Sequence, residues 1–173
     1  MANVVTDLVN DACPQVSSEL TLSRLVAIPK PDKDEARPIG IGEALLKIAA
    51  AVQLNKCGKQ IDKHFGDTQF VLRECGAELI IHKVREEVRA GKVVAALDAS
   101  NAFNTIERSV IARAIFDTEC ASHLRGIFNT TYHRTSNLRF YRGNGYVDIL
   151  SRRGVRQGDP LGPVLYALAL LTR

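Results

Sequence analysis

Three groups of residues in this chain could do chemistry. Asp98 follows the short apolar run Lys92-Val93-Val94-Ala95-Ala96-Leu97, which is bounded by Gly91 and a polar cluster and reads as a buried strand. A carboxylate at the end of such a strand can hold a divalent cation against nucleotide phosphates, because hard oxygen ligands and substrate oxygens make the usual Mg2+ site. Taken alone, an Asp in that place also serves as a plain turn or cap residue. The second group is Gly154-Val155-Arg156-Gln157-Gly158-Asp159-Pro160-Leu161-Gly162-Pro163. Its glycines permit close approach of backbone to a ligand, and the helix introduced by its prolines presents free N–H groups to an anion. A simple strand-to-helix turn accounts for the Gly and Pro residues but not for the Arg-Gln-Gly-Asp-Pro-Leu order. The third group is Lys30 and Arg37, on either side of the charged turn Asp32-Lys33-Asp34-Glu35. Long cations there would neutralise phosphate charge, although a solvated charged hairpin has the same composition.

The elements that must position these groups follow from apolar periodicity and turn signals. Arg24 to Ile28 reads as a short strand ended by Pro29 and Pro31, and extended chain resumes at Arg37 to Gly42. Leu45, Ile48, Ala49 and Val52 predict a helix from Glu43 to about Gly58. Leu79, Ile80, Ile81, Val84 and Val88 form one side of a second helix from Ala77, broken by Gly91, with His82 on its surface. A third helix is expected from Asn104, with Glu107 as capping-box partner and Ile106, Val110, Ile111, Ala114 and Ile115 as its stripe. Asn137 to Tyr141 and Tyr146 to Leu150 flank a glycine-rich turn and predict a β-hairpin. Val164 to Leu171 is apolar all round, as a helix buried on most sides would be.

Composition narrows the class. With 173 residues, 46% hydrophobic and 24% charged, the chain fits one globular domain with a real core and not a disordered segment. A net charge of +4 permits nucleic-acid contact without requiring it. Cys13, Cys57, Cys75 and Cys120 are widely spaced and imply neither a zinc site nor a disulfide framework, which suits a reducing intracellular compartment. No apolar run approaches the roughly 18 residues of a membrane span, so no membrane association is expected. Residues 1 to 23 hold Asp7, Asp11 and Glu19 but no Lys or Arg, against a secretory or transit leader.

Leu97-Asp98-Ala99-Ser100-Asn101-Ala102-Phe103-Asn104 resembles motif A of reverse transcriptases, particularly those of LINE-type non-LTR retrotransposons and related group II intron enzymes. Gly154 to Pro163 looks like motif B of the same family. Leu25-Val26-Ala27-Ile28-Pro29-Lys30-Pro31, then Arg37-Pro38-Ile39 and Lys47, resembles its fingers segment. Gln69-Phe70-Val71 is similar to the stretch before motif A but carries Val71 where glycine is usual. The resemblance covers roughly residues 24 to 171, in order.

This resemblance implies an α+β fold: reverse-transcriptase-like fingers and a partial palm, with an incomplete antiparallel palm sheet packed on helices. Residues 1–23 would be an N-terminal extension, 24–92 the fingers-like segment and 93–173 the partial palm. Asp98 would be the catalytic, metal-binding carboxylate, with the Ala99 carbonyl as a further ligand for Mg2+ or Mn2+. Phe103 would exclude a ribose 2′-OH, although it also fits as a buried aromatic below the strand. Lys30, Arg37, Gln157 and Gly158 would meet the nucleotide and Arg156 the nucleic acid. The implied partners are an RNA or DNA template-primer and a deoxynucleoside triphosphate. No Tyr/Phe-x-Asp-Asp motif follows motif B. A chain without it lacks the second carboxylates that two-metal transfer needs, and is expected to be inactive alone. A partner polypeptide or a second copy is then expected to cover Val93 to Leu97 and Val164 to Leu171. The alternative is a domesticated, catalytically dead relic serving as a structural or RNA-binding subunit, which would need no metal. The expected compartment is the nucleus or cytoplasm, or an organelle complex.

Overall fold

The computed structural model describes residues 2–31 and 34–171. Asp32 and Lys33 of the expected charged turn lie outside the described residues. The elements run α1 (Ala2–Val9), a 3-10 turn (Pro14–Val16), α2 (Ser17–Leu20), β1 (Ser23–Pro29), β2 (Ala36–Ile41), α3 (Ala44–Phe65) and α4 (Gly76–Arg89). They continue with α5 (Ala102–Thr105), α6 (Arg108–Asp117), α7 (Arg125–Phe128), β3 (Ser136–Arg142), β4 (Gly145–Ser151) and α8 (Gly162–Leu171). The fold is a mixed α+β arrangement, in which a four-stranded sheet of order β2-β1-β3-β4 stands beside a helical core.

Helix α3 forms the spine of that core. Leu46, Ala49, Ala50, Gln53, Cys57, Ile61 and Phe65 are buried along it at spacings of three and four, so the stripe continues past Gly58. The helix therefore runs seven residues beyond the expected end at Gly58, and stops at Gly66, whose φ of +54° few side chains tolerate. Against it pack α1 through Leu8, the 3-10 turn Glu119–Leu124 through Ala121 and Leu124, and α7 through Ile127 and Phe128, while Ile111 and Ile115 of α6 join the same core.

Helix α8 is covered from within. Val164, Leu165, Ala167, Leu168 and Ala169 are all buried, and α8 packs on α6, with only Leu170 strongly exposed. The expectation that a partner must cover Val164 to Leu171 is thereby corrected for most of the helix.

The sheet joins distant segments of chain. β1 and β2 are antiparallel, β3 and β4 form the expected hairpin, and β1 pairs parallel with β3 through Ser23 to Leu138 and Leu25 to Phe140. Gly143 takes φ +57° at the first central position of the two-residue hairpin turn, where the strand twist favours a positive value.

Three expectations give way. The run Lys92 to Leu97 is neither buried nor a strand: Val93 is 100% and Leu97 97% exposed, and no strand among the described residues pairs with it. An apolar run becomes a strand only where a neighbouring strand satisfies its backbone. Helix α4 likewise has its full predicted length, yet Leu79, Ile80, Ile81 and Val88 remain exposed. The single helix expected from Asn104 is instead two, α5 and α6, separated at Ile106 and Glu107, whose backbones are extended. The carbonyls of Phe103 and Ile106, which a continuous helix would use internally, accept instead from Val155 and Gly154. Glu107 pairs with Arg153 at 3.1 Å and makes no side-chain cap.

Candidate functional site

The loop from Gly154 to Asp159 is held in place by its backbone. Gly154 N–H donates to the Ile106 carbonyl and Val155 N–H to that of Phe103, both at 2.8 Å. Gly154 has φ +66°, and a methyl group there would lie 2.1 Å from the Phe103 carbonyl oxygen. Two residues on, the Gln157 carbonyl accepts from Gly40 N–H at 2.8 Å, so Gln157 lies alongside Ile39 as a one-residue extension of the sheet. Gly158 takes φ +101° against the Gly40 carbonyl. Asp159 Oδ1 then accepts from Leu161 N–H at 2.9 Å and starts α8.

Tyr132, which carries no signal in the sequence, sits beneath this loop, fully buried. Its hydroxyl accepts from Arg156 N–H at 3.1 Å and donates to Asp159 Oδ2 at 2.5 Å, clasping both sides of Gln157 and Gly158. The guanidinium groups of Arg156 and Arg108 lie 5.3 and 5.2 Å from the centre of its ring. Arg108 ties the same region from below, donating to the carbonyls of Gly154, Tyr132 and Arg134 and to Ser151 Oγ. Burial, with Arg156 beside it, pushes Arg108 down to about 10.

Burial first, and then the Asp159 carboxylate, push the Tyr132 phenol well above its ordinary value near 10. The unfolded chain therefore loses this proton at lower pH than the folded one. The corresponding stability is complete below pH 10 or so and declines as pH rises further. Urea unfolding between pH 8 and 11 should show this decline, and Tyr132→Phe should flatten it while removing about 1 to 2 kcal/mol at neutral pH. A Tyr132→Phe protein with the same alkaline slope as the parent would contradict the assignment.

Arg156 is placed otherwise than expected. It is only 7% exposed, and its guanidinium donates to Ser23 Oγ at 2.9 Å, the Thr131 carbonyl at 2.9 Å and Ser136 Oγ at 3.4 Å. The small residues Gly40, Gly42, Ser23 and Ser136 leave the space that it fills. Its charge thus joins the loop to the sheet and does not face a nucleic acid.

The other expected residues meet in one cleft of about 670 Å³. Lys30 and Arg37 line it from the turn end of the β1–β2 hairpin, Asp98, Ala99 and Phe103 from the segment entering α5, and Gln157 and Gly158 from the loop. Asn101 turns the α5 segment with φ +51°, a conformation that Asn tolerates better than most residues. Phe103 is half-buried with its ring 5.2 Å from that of Tyr166, so it both packs on α8 and borders the cleft. Lys30 Nζ pairs with Glu35 at 2.5 Å.

Two cations, one uncommitted carboxylate and a glycine backbone suit a ligand bearing phosphates. The Asp98 carboxylate and Ala99 carbonyl are the hard oxygen donors that Mg2+ or Mn2+ prefers. They are too few to hold two ions: among the described residues no group of three or more His, Cys, Asp or Glu side chains could bind a metal. No described helix is long and apolar enough to cross a membrane.

A family model described as reverse transcriptase (RNA-dependent DNA polymerase) matches residues 28–172. The chain is 31% identical to the retrotransposable element SLACS 132 kDa protein of Trypanosoma brucei gambiense, over 99% of this chain and 14% of that protein. It is also similar to the retrovirus-related Pol polyproteins from the type-1 retrotransposable element R2 of two insects. That of Popillia japonica is 27% identical over 90% of this chain, and that of Nasonia vitripennis 28% over 83%. The chain spans 14 to 23% of the length of these relatives.

Proposed function

The chain belongs to the reverse transcriptase family of RNA-dependent DNA polymerases, and from that premise we propose that it forms the fingers and the nucleotide-facing part of the palm for RNA-templated DNA synthesis. The observation that carries this reading is the cleft, in which residues from three separated segments converge. In it Lys30 and Arg37 bind the triphosphate, with Glu35 holding Lys30 in position across the hairpin. Gln157 and Gly158 contact the sugar and base of a deoxynucleotide, and Phe103 excludes the 2′-OH. Asp98 and the Ala99 carbonyl offer their oxygens to the divalent ion, which supplies charge neutralisation at the reacting phosphate when bound. The segment 24–92 acts as fingers and 93–173 as palm, with 1–23 as an extension.

One carboxylate does not place two ions, so residues 1–173 by themselves are inactive and further carboxylates are needed from outside this segment. A further stretch of polypeptide, or a second copy, covers the exposed apolar stretch Val93 to Leu97. The same single carboxylate also supports a second reading, a catalytically dead relic that serves as a structural or RNA-binding subunit.

Primer extension with Mg2+ on RNA and DNA templates separates the two. The chain alone should extend nothing. Joined to a polypeptide that supplies the missing carboxylates, it should synthesise DNA, and Asp98→Asn should remove that synthesis. Extension that survives Asp98→Asn would refute the role given to Asp98, and salt-sensitive RNA binding with no synthesis in any combination would favour the relic.

A further inference from the structure

Away from the cleft, one face of the sheet carries a cluster of exposed aromatic and cationic side chains. Side chains alternate along a strand and paired residues share a side. The register therefore puts Arg24 of β1, Arg139 and Tyr141 of β3, and Tyr146 and Asp148 of β4 on one face. Tyr141 and Tyr146 oppose each other across the hairpin with ring centres 6.1 Å apart, and are 55% and 56% exposed. A guanidinium lies against each ring, Arg24 at 5.7 Å from Tyr141 and Arg139 at 3.9 Å from Tyr146. Asp148 is the single carboxylate among the strand residues of this face, and two 2.9 Å hydrogen bonds commit it to Arg139. Arg24 is thus left as uncompensated positive charge on this face.

Exposed aromatic rings add nothing to a core, and their π-faces accept bases of any identity, while arginines beside them neutralise phosphates. We propose that this face binds single-stranded nucleic acid, with bases stacked on Tyr141 and Tyr146 and the backbone drawn to Arg24. A duplex does not fit, because its bases are already stacked on one another. The surface is distinct from the cleft. The cleft opens at the turn end of the β1–β2 hairpin, and the tyrosines lie on β3 and β4, two and three strands from β2 and so roughly 10 to 15 Å from it at the strand spacing. The strand held here is therefore not the nucleotide held there, and failure of this proposal would leave primer extension unaffected.

The test is fluorescence anisotropy of the full chain with labelled oligouridylate and oligodeoxythymidylate of about 15 nucleotides, the two arms separating RNA from DNA. Tyr141→Ala and Tyr146→Ala should each weaken binding about tenfold, and Tyr146→Phe, which keeps the ring, should bind within about twofold of the parent. Ultraviolet cross-linking of the unmodified chain should label the hairpin peptide, a readout that does not depend on how the variants fold. Equal binding by both alanine variants, or cross-links confined to the cleft segments, would overturn the proposal. So would alanine variants that abolish self-association and leave oligonucleotide binding unchanged, since the face would then be a protein interface.

Discussion

Gly154→Ala should lower folding stability by about 3 kcal/mol, a drop of roughly 6 to 12 °C in the melting temperature of a chain this size. Two effects add. A left-handed conformation costs an alanine about 1 to 2 kcal/mol, and Gly154 has φ +66°. The added methyl would also stand 2.1 Å from the Phe103 carbonyl oxygen and 2.7 Å from Asn104 Cα, both backbone atoms that cannot rotate away. The clash is relieved only by lifting the loop off α5, which breaks the hydrogen bonds from Gly154 to Ile106 and from Val155 to Phe103. Gly143→Ala supplies the comparison. Its φ is +57°, but nothing lies within 4 Å of an added Cβ, so it should lose only about 1 to 2 kcal/mol. Thermal melts followed by circular dichroism decide the matter, and equal losses for the two variants would show that the close approach to Phe103 is not a constraint.

Arg156→Ala should be of similar size, about 3 kcal/mol. The substitution empties the space beneath the loop and removes the donor that satisfies Ser23 Oγ and the Thr131 carbonyl, both groups in buried residues. Arg156→Met separates shape from charge. It refills the volume without burying a guanidinium, whose desolvation is unfavourable and whose Nε has no hydrogen-bond partner among the described residues. The methionine variant should therefore recover part of the loss, by about 1 kcal/mol or more. If Arg156 instead served only nucleic acid, both variants would melt like the parent and lose affinity alone. Urea titration beside an oligonucleotide-binding assay distinguishes these outcomes.

Local chemistry was the legible part. Pro29 and Pro31 marked the end of β1, Gly143 and Asn144 marked the hairpin turn, and the apolar spacing of α4 and α6 announced helices. Lys30, Arg37, Asp98, Ala99, Phe103, Gln157 and Gly158 are singled out by the family resemblance of the motifs that hold them, and they line one cavity. Boundaries failed where a distant segment intervened. The break between α5 and α6 depends on carbonyls taken by Gly154 and Val155, about fifty positions away, and no local signal records that competition. Residues 92–97 failed for the opposite reason, since their apolar run needs a neighbouring strand that the described residues do not supply.

The sequence by itself determined the family, the order of the motifs and the kind of ligand that their charges suit, because these rest on residue types and short spacings. Only the tertiary structure decided what Arg156, Tyr132 and Arg108 do. An arginine beside a glycine-rich loop can reach outward to a phosphate or inward to the protein, and the choice depends on whether the space behind it is filled. Gly40, Gly42, Ser23 and Ser136, drawn from three strands and the turn after β2, leave that space open, and the guanidinium occupies it. Tyr132 then clasps the loop through Arg156 N–H and Asp159 Oδ2, fixing Gln157 and Gly158 against β2. Partners so far apart in the chain become visible only once the parallel pairing of β1 with β3 has brought their strands together.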